Sequence, residues 1–244
     1  MTGIAASAPA PAEAPKGLLA RVIGVVVSPR ATFADVAAKP RWASVLILCM
    51  VVVISGVFVL LSTDVGREAT LDQQVRTLES FGVKLTDTQY AQMEARADNA
   101  RYLAAASQLV GIPIVAMILS AVLLGVFNAI LGGDATFKQV FAVVAHTGVI
   151  TALATAFSLP LDYVRETLSS PTNLGVFVPF LDEASFLSRL LGSIDLFQIW
   201  ALVTLSIGLG VLYKRRTGPI ATGLLLMYAV IVAAVAAIRS ALSS

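Results

Sequence analysis

The chain alternates long apolar runs with short polar breaks. Five runs, 43–61, 111–131, 140–161, 196–213 and 219–238, hold 19, 21, 22, 18 and 20 residues in turn. Crossing a hydrocarbon core of about 30 Å takes about 20 helical residues at 1.5 Å each, so each run predicts a membrane-spanning helix. The chain carries 17 basic and 15 acidic residues, and none lies inside a run. A charge at the bilayer centre costs about 2.5–3.5 kcal/mol on insertion scales, which is enough to keep all of them out.

The breaks suit the same reading. Gly132-Gly133-Asp134 closes the second run and Pro160 the third. Lys214-Arg215-Arg216 and Gly218-Pro219 make a tight turn, so the last two spans form an antiparallel hairpin. The second span is predicted to extend back through 103–110 as a longer, tilted helix.

The segments between the runs are predicted to be helical but not spanning. Residues 1–16 are Ala/Pro-rich without an apolar core for a signal peptide, and read as a disordered tail. Residues 17–42 read as helices in the cytoplasmic interface. In the first, Leu18, Leu19, Val22, Ile23 and Val26 recur at helical spacing, but the piece is too short to cross. Ser28 then serves as a cap and Pro29 as the first residue of a second helix, with Phe33 and Val36 on one face, Pro40 at its end and Trp42 at headgroup level.

The 62–106 insertion reads as a polar helical hairpin on the outer face. Leu71, Val75 and Leu78 share a helix face, Gly82 breaks it, and Thr86 with Gln89 has the spacing of a capping box. The helix that follows is predicted to run straight into the second span. In 162–195, the apolar piece 174–181 is too short to cross, and Asp182 is placed to cap a short helix with Phe186, Leu187, Leu190 and Leu191. This segment reads as lying on the outer interface, with a re-entrant loop as the alternative. Residues 239–244 form a tail.

Composition rules out a soluble domain. Apolar residues make up 57% and charged residues 13%, against about 25% charged in a globular domain. The fold class is therefore all-α: a polytopic membrane protein, with residues 43–238 as its five-helix membrane domain. A net charge of +2 does not suggest nucleic acid. Orientation follows from basic residues in the short segments. Lys16, Arg21, Arg30, Lys39 and Arg41 precede the first span, Lys138 follows the second, and Lys214, Arg215 and Arg216 follow the fourth. The basic residues of the 62–106 insertion are instead mixed with seven acids. The N-terminus reads as cytoplasmic and the C-terminus as outside, in a bacterial cytoplasmic (inner) membrane.

Candidate chemistry is sparse. His146 is the one histidine and lies within the third span. An ionisable group at that depth is a functional candidate, but no span offers it an acid, so a neutral ring bonded to a backbone carbonyl or to Asn128 is expected. Gln108, Asn128 and Gln198 complete a candidate intramembrane polar cluster with His146. Small residues at four-residue spacing (Ala229, Ala233 and Ala237, and Ser206 with Gly210) permit close helix approach. The single cysteine, Cys49, reads as a small apolar packing residue. No nucleophile, metal-ligand or phosphate-loop pattern occurs, so no catalytic residue, cofactor or metal is expected.

Three stretches carry a family resemblance. They are Ser28-Pro29 with Thr32-Phe33, closing at Lys39-Pro40-Arg41-Trp42; Gly132-Gly133-Asp134-Ala135-Thr136-Phe137-Lys138-Gln139; and Asp195-Leu196-Phe197-Gln198-Ile199-Trp200, followed by Ser206-Ile207-Gly208. In this order around five spans, the chain resembles bacterial members of the YIP family, the Rab/Ypt-interacting membrane proteins, over residues 18–238. The resemblance implies a cytoplasmic N-terminus and a five-helix membrane domain. Eukaryotic members are associated with Rab GTPases and vesicle traffic. The short tail here shows no docking motif, so that role is not carried over. The reading is a non-enzymatic protein that organises partners or lipid, its partners being the bilayer and another membrane protein or a second copy of itself. The alternative is a small permease or channel component.

Overall fold

The N-terminal segment folds as two short helices, α1 (Leu18–Val27) and α2 (Pro29–Ala38), in a computed structural model that describes residues 17–97, 99–182 and 185–242. The 1–16 tail, Asp98 and the last two residues of 239–244 lie outside the described residues. Pro29 occupies the first helical position of α2, and Ser28 the cap position, but the Ser28 side chain makes no capping bond. α2 is sunk into the protein rather than resting on it: Phe33, Val36 and Thr32 are completely buried against two later helices, α7 (Phe137–Arg165) and α9 (Leu196–Leu212).

α3 (Ala43–Leu60) is the first span. The insertion follows as α4 (Asp64–Ser80) and α5 (Asp87–Ala97). Gly82 separates them at φ +77°, and Thr86 and Gln89 make the reciprocal capping bonds at 2.9 and 3.3 Å. The expected continuous run into the second span is interrupted. α6 (Ala100–Leu124) is a separate helix with Asn99 in its cap position. α6 ends in a π-helical turn, Gly125–Ile130.

α7 (Phe137–Arg165) opens on a capping box between Thr136 and Gln139 and continues past Pro160 to Arg165. The proline therefore lies inside the helix, where its missing N–H removes one backbone bond. α8 (Phe186–Gly192) is capped by Ser185, whose hydroxyl accepts from the Ser188 amide, and not by Asp182. α9 (Leu196–Leu212) and α10 (Thr217–Leu242) form the hairpin.

The fold is all-helical and polytopic. Four described helices are long and apolar enough to cross a membrane: α3, α6 with its π turn, α7 and α10. α9 has 17 residues, the lower limit for a crossing. Its mates place it: α7 and α10 flank it, and Leu205 and Leu209 are buried between them and α2.

α7 is the axis of the bundle. Of its most apolar 18 residues 56% are buried, against 11% for α10. It contacts α3, α9, α6, α2 and α1. One buried cluster joins Phe33, Val36, Leu123, Phe127, Phe141, Val143 and Leu209. A second joins Val25, Val45, Cys49, Val149 and Ile150. The outer faces of α6 and α10 expose Ile114, Ile118, Val122, Leu226, Met227 and Val230, the surface a bilayer solvates. In α10 the buried residues are Val232 and Ala236, and Ile220 and Leu224 pack partly buried against the core. Ala229 and Ala237 face outward, so that row of small residues is not spent inside the chain.

Candidate functional site

Arg21 and His146 meet where α1 packs on the first third of α7. Arg21 stands alone among apolar neighbours in LLARVIG, yet it is 4% exposed and His146 is 0% exposed. Arg21 Nη1 donates to the Arg41 carbonyl at 2.7 Å, and Nη2 donates to Ser44 Oγ at 3.3 Å. Nη1 also lies 3.3 Å from His146 Nε2. A guanidinium only donates, so Nε2 is the acceptor. The ring proton is then on Nδ1, which donates to the Ala142 carbonyl at 2.7 Å. Both ring nitrogens are committed, which leaves none free to relay a proton.

The contact between α1 and α2 beside Arg21 depends on a glycine. A Cβ on Gly24 would lie 2.2 Å from Thr32 Oγ1, so α1 and α2 approach closely only because position 24 is glycine. Arg21 Nε and Thr32 Oγ1 are buried with no partner among the described residues. Burying a guanidinium costs several kcal/mol. Three bonds to neutral acceptors offset part of that cost. The result is a polar strut that fastens the N-terminal helices to α7.

The other expected members of the polar cluster are elsewhere. Asn128 lies in the π turn, a geometry that recurs at functional positions. Its amide donates to the Ala135 carbonyl at 2.8 Å, and its oxygen accepts from the Tyr213 hydroxyl at 2.9 Å. The Tyr213 ring stacks on Phe127 at 4.8 Å. His146 therefore takes the backbone-carbonyl option and not Asn128. Gln108 is half-buried on α6 and Gln198 is exposed on α9. No hydrogen bond joins any two of the four among the described residues.

The residues of the three stretches do structural work at helix ends. Gly132 adopts φ +69° in the turn that leaves the π segment. Phe137 stacks on Phe141 at 5.9 Å, and Trp42 meets Phe141 edge-on at 5.0 Å. Gln139 Nε2 reaches the Ala37 carbonyl at 3.1 Å, tying α7 to α2. Phe197 packs between Phe157 and Trp200, with ring centroids at 5.7 and 5.8 Å.

Asp195 caps α9 by accepting from the Phe197 and Gln198 amides at 2.8 and 3.2 Å. Its other oxygen accepts from Thr172 Oγ1 at 2.7 Å and from the Ser170 hydroxyl. Burial pushes this carboxyl up, but the bonds from Ser170, Thr172 and the two amides outweigh burial and hold it below its ordinary value.

Arg21, Ser44 and Tyr213 are site residues that the sequence reading misses, and Thr32 enters it only through the first family stretch. Only Arg21 carried a signal, a lone charge inside an apolar helical run, and it was counted with the topogenic basic residues. Beyond any topogenic part, Arg21 is buried against α7. No group of three or more His, Cys, Asp or Glu among the described residues could hold a metal.

Residues 23–238 match the family described as the Yip1 domain. A relative is the membrane protein YknW of Bacillus subtilis (strain 168), 24% identical over 191 residues, which cover 77% of this chain and 76% of that protein. No solved structure matches. The matched stretch takes in the Arg41, Ser44 and His146 partners of Arg21 and all the spans, and the chain belongs to the Yip1 domain family.

Proposed function

We propose that this protein is a non-enzymatic membrane organiser that binds partners within the bilayer, another membrane protein or a second copy of itself. One observation carries the reading. His146 and Asn128 spend their bonding groups on other partners within the chain, and no hydrogen bond joins any two of His146, Asn128, Gln108 and Gln198 among the described residues. That weighs against the permease alternative, which needs them to face one wet cavity. The outward faces of α6 and α10 supply ample surface for a partner. Basic residues in the short turns favour a cytoplasmic N-terminus and an outside C-terminus, and the relationship to a bacterial membrane protein favours the cytoplasmic membrane. The test is affinity purification from gently solubilised membranes with quantitative mass spectrometry. A reproducible, stoichiometric partner or self-complex is expected, and its absence across mild detergents overturns the reading.

A further inference from the structure

At the α9–α10 turn, residues from two separate parts of the chain enclose a recess of about 220 Å³. It is lined by Arg30 from α2 and by Gly210, Val211, Lys214, Arg215 and Thr217. Three of the six are cationic and none is acidic. Arg30 Nη2 donates to Thr217 Oγ1 at 3.3 Å, and Arg215 donates to the Leu131 carbonyl. These acceptors are neutral. Among the described residues the ion pairs are Arg67 with Asp64 and Arg76 with Asp72, so none of the three charges is in a direct ion pair.

The local backbone brings the charges together. The Arg215 amide bonds back to the Gly210 carbonyl at 2.8 Å and the Lys214 amide to the Val211 carbonyl at 3.3 Å, a Schellman-type stop. Lys214 therefore holds the left-handed position at φ +52°, where glycine is the favoured residue. A lysine is kept there against backbone preference, beside two arginines. Topology alone requires basic residues in the turn but not their convergence with Arg30 of α2.

We propose that this recess binds a phosphate-bearing anion at the membrane boundary, either an anionic phospholipid headgroup or free phosphate. An anion here relieves the mutual repulsion of the three cations, and the Thr217 hydroxyl and guanidinium donors suit phosphate oxygens. The site lies where two apolar helices end, at headgroup level. It is defined by its own geometry, and stands whether or not the organising role does.

The test uses the full chain in neutral detergent, with native mass spectrometry and thermal unfolding as readouts. Phosphatidylglycerol, phosphatidylcholine and inorganic phosphate are added separately. Phosphatidylglycerol binds in preference to phosphatidylcholine, and affinity falls roughly five-fold for each charge removed in Arg30→Gln and Lys214→Gly. Lys214→Gly suits its backbone position, so the variant keeps its unfolding temperature without ligand. Arg216→Gln removes a neighbouring charge that does not line the recess and leaves binding unchanged. Stabilisation by inorganic phosphate that is lost in the double variant assigns the site to the free anion, whereas stabilisation by phosphatidylglycerol alone assigns it to the headgroup. Equal binding of the two lipids without a phosphate effect, or an Arg216→Gln loss as large as that of Lys214→Gly, overturns the proposal.

Discussion

His146 Nε2 accepts from Arg21 Nη1 at 3.3 Å across 125 positions of sequence. Removing either residue strands the other. Arg21→Met leaves a buried ring nitrogen unsatisfied, and His146→Leu leaves a buried cation short of an acceptor. Each is expected to cost about 1.5–3 kcal/mol. The double variant should cost less than the sum, with a coupling of about 0.5–3 kcal/mol. Unfolding of the purified protein in detergent measures the cycle, and strict additivity would mean the contact is not formed.

Two glycines should respond to alanine with opposite signs. A Cβ on Gly208 of α9 meets Val143 Cγ1 at 2.6 Å and the Phe33 ring at 3.0 Å, whereas a Cβ on Gly223 of α10 meets nothing within 4 Å. Gly208→Ala overpacks the seat of α2 and is expected to destabilise by about 1–3 kcal/mol. It also exposes the α1–α2 segment to protease. Gly223→Ala should be neutral or stabilising by up to about 1 kcal/mol, because alanine is the better helix former. Limited proteolysis with melting curves checks both.

The Tyr213 hydroxyl and the Asn128 amide separate ring packing from hydrogen bonding. Tyr213→Phe keeps the stack on Phe127 and loses one bond, at a cost of about 1 kcal/mol. Asn128→Leu strands both the Tyr213 hydroxyl and the Ala135 carbonyl, and is expected to cost more. Neither change should alter solute flux in proteoliposomes; a flux abolished by Asn128→Leu or His146→Leu in a still-folded protein would revive the permease reading.

Asp195 makes the N-terminal end of α9 acid-sensitive. Its carboxyl titrates below the ordinary value of 3.8 in the folded protein. The folded state therefore binds that proton less readily than the unfolded state. The resulting stability is fully present above the unfolded value and is lost as pH falls through the folded one. Melting temperature should drop on the acid side of about pH 4, and Asp195→Asn should flatten that limb while lowering stability at neutral pH. Thr172→Val should move the limb to higher pH by removing a bond to the carboxylate.

The spans were legible because exclusion of charge from a bilayer leaves a mark on every residue of a run. The Thr86–Gln89 box and the Gly82 break were legible because they are local. What joins distant segments was not. Arg21 resembles a topogenic charge in sequence, and only packing reveals that α1 carries it onto His146. The bonds of the candidate cluster were hidden for a related reason: Asn128 and His146 are both polar groups in a linear reading of the spans, but they stand on different helices and bond to Tyr213 and Ala135, and to Arg21 and Ala142. The continuation of α7 past Pro160 was also hidden, since a proline reads as an end unless the surrounding contacts are known.

The organising role is tested most directly by photo-crosslinking in intact membranes from single positions on α10. Ala229 and Val230 face outward, and Ala236 is buried. The outward positions should give a discrete protein adduct of reproducible mass, and Ala236 should give none. Lipid adducts alone at Ala229, Val230 and the outward positions of α6 would contradict a partner-binding protein.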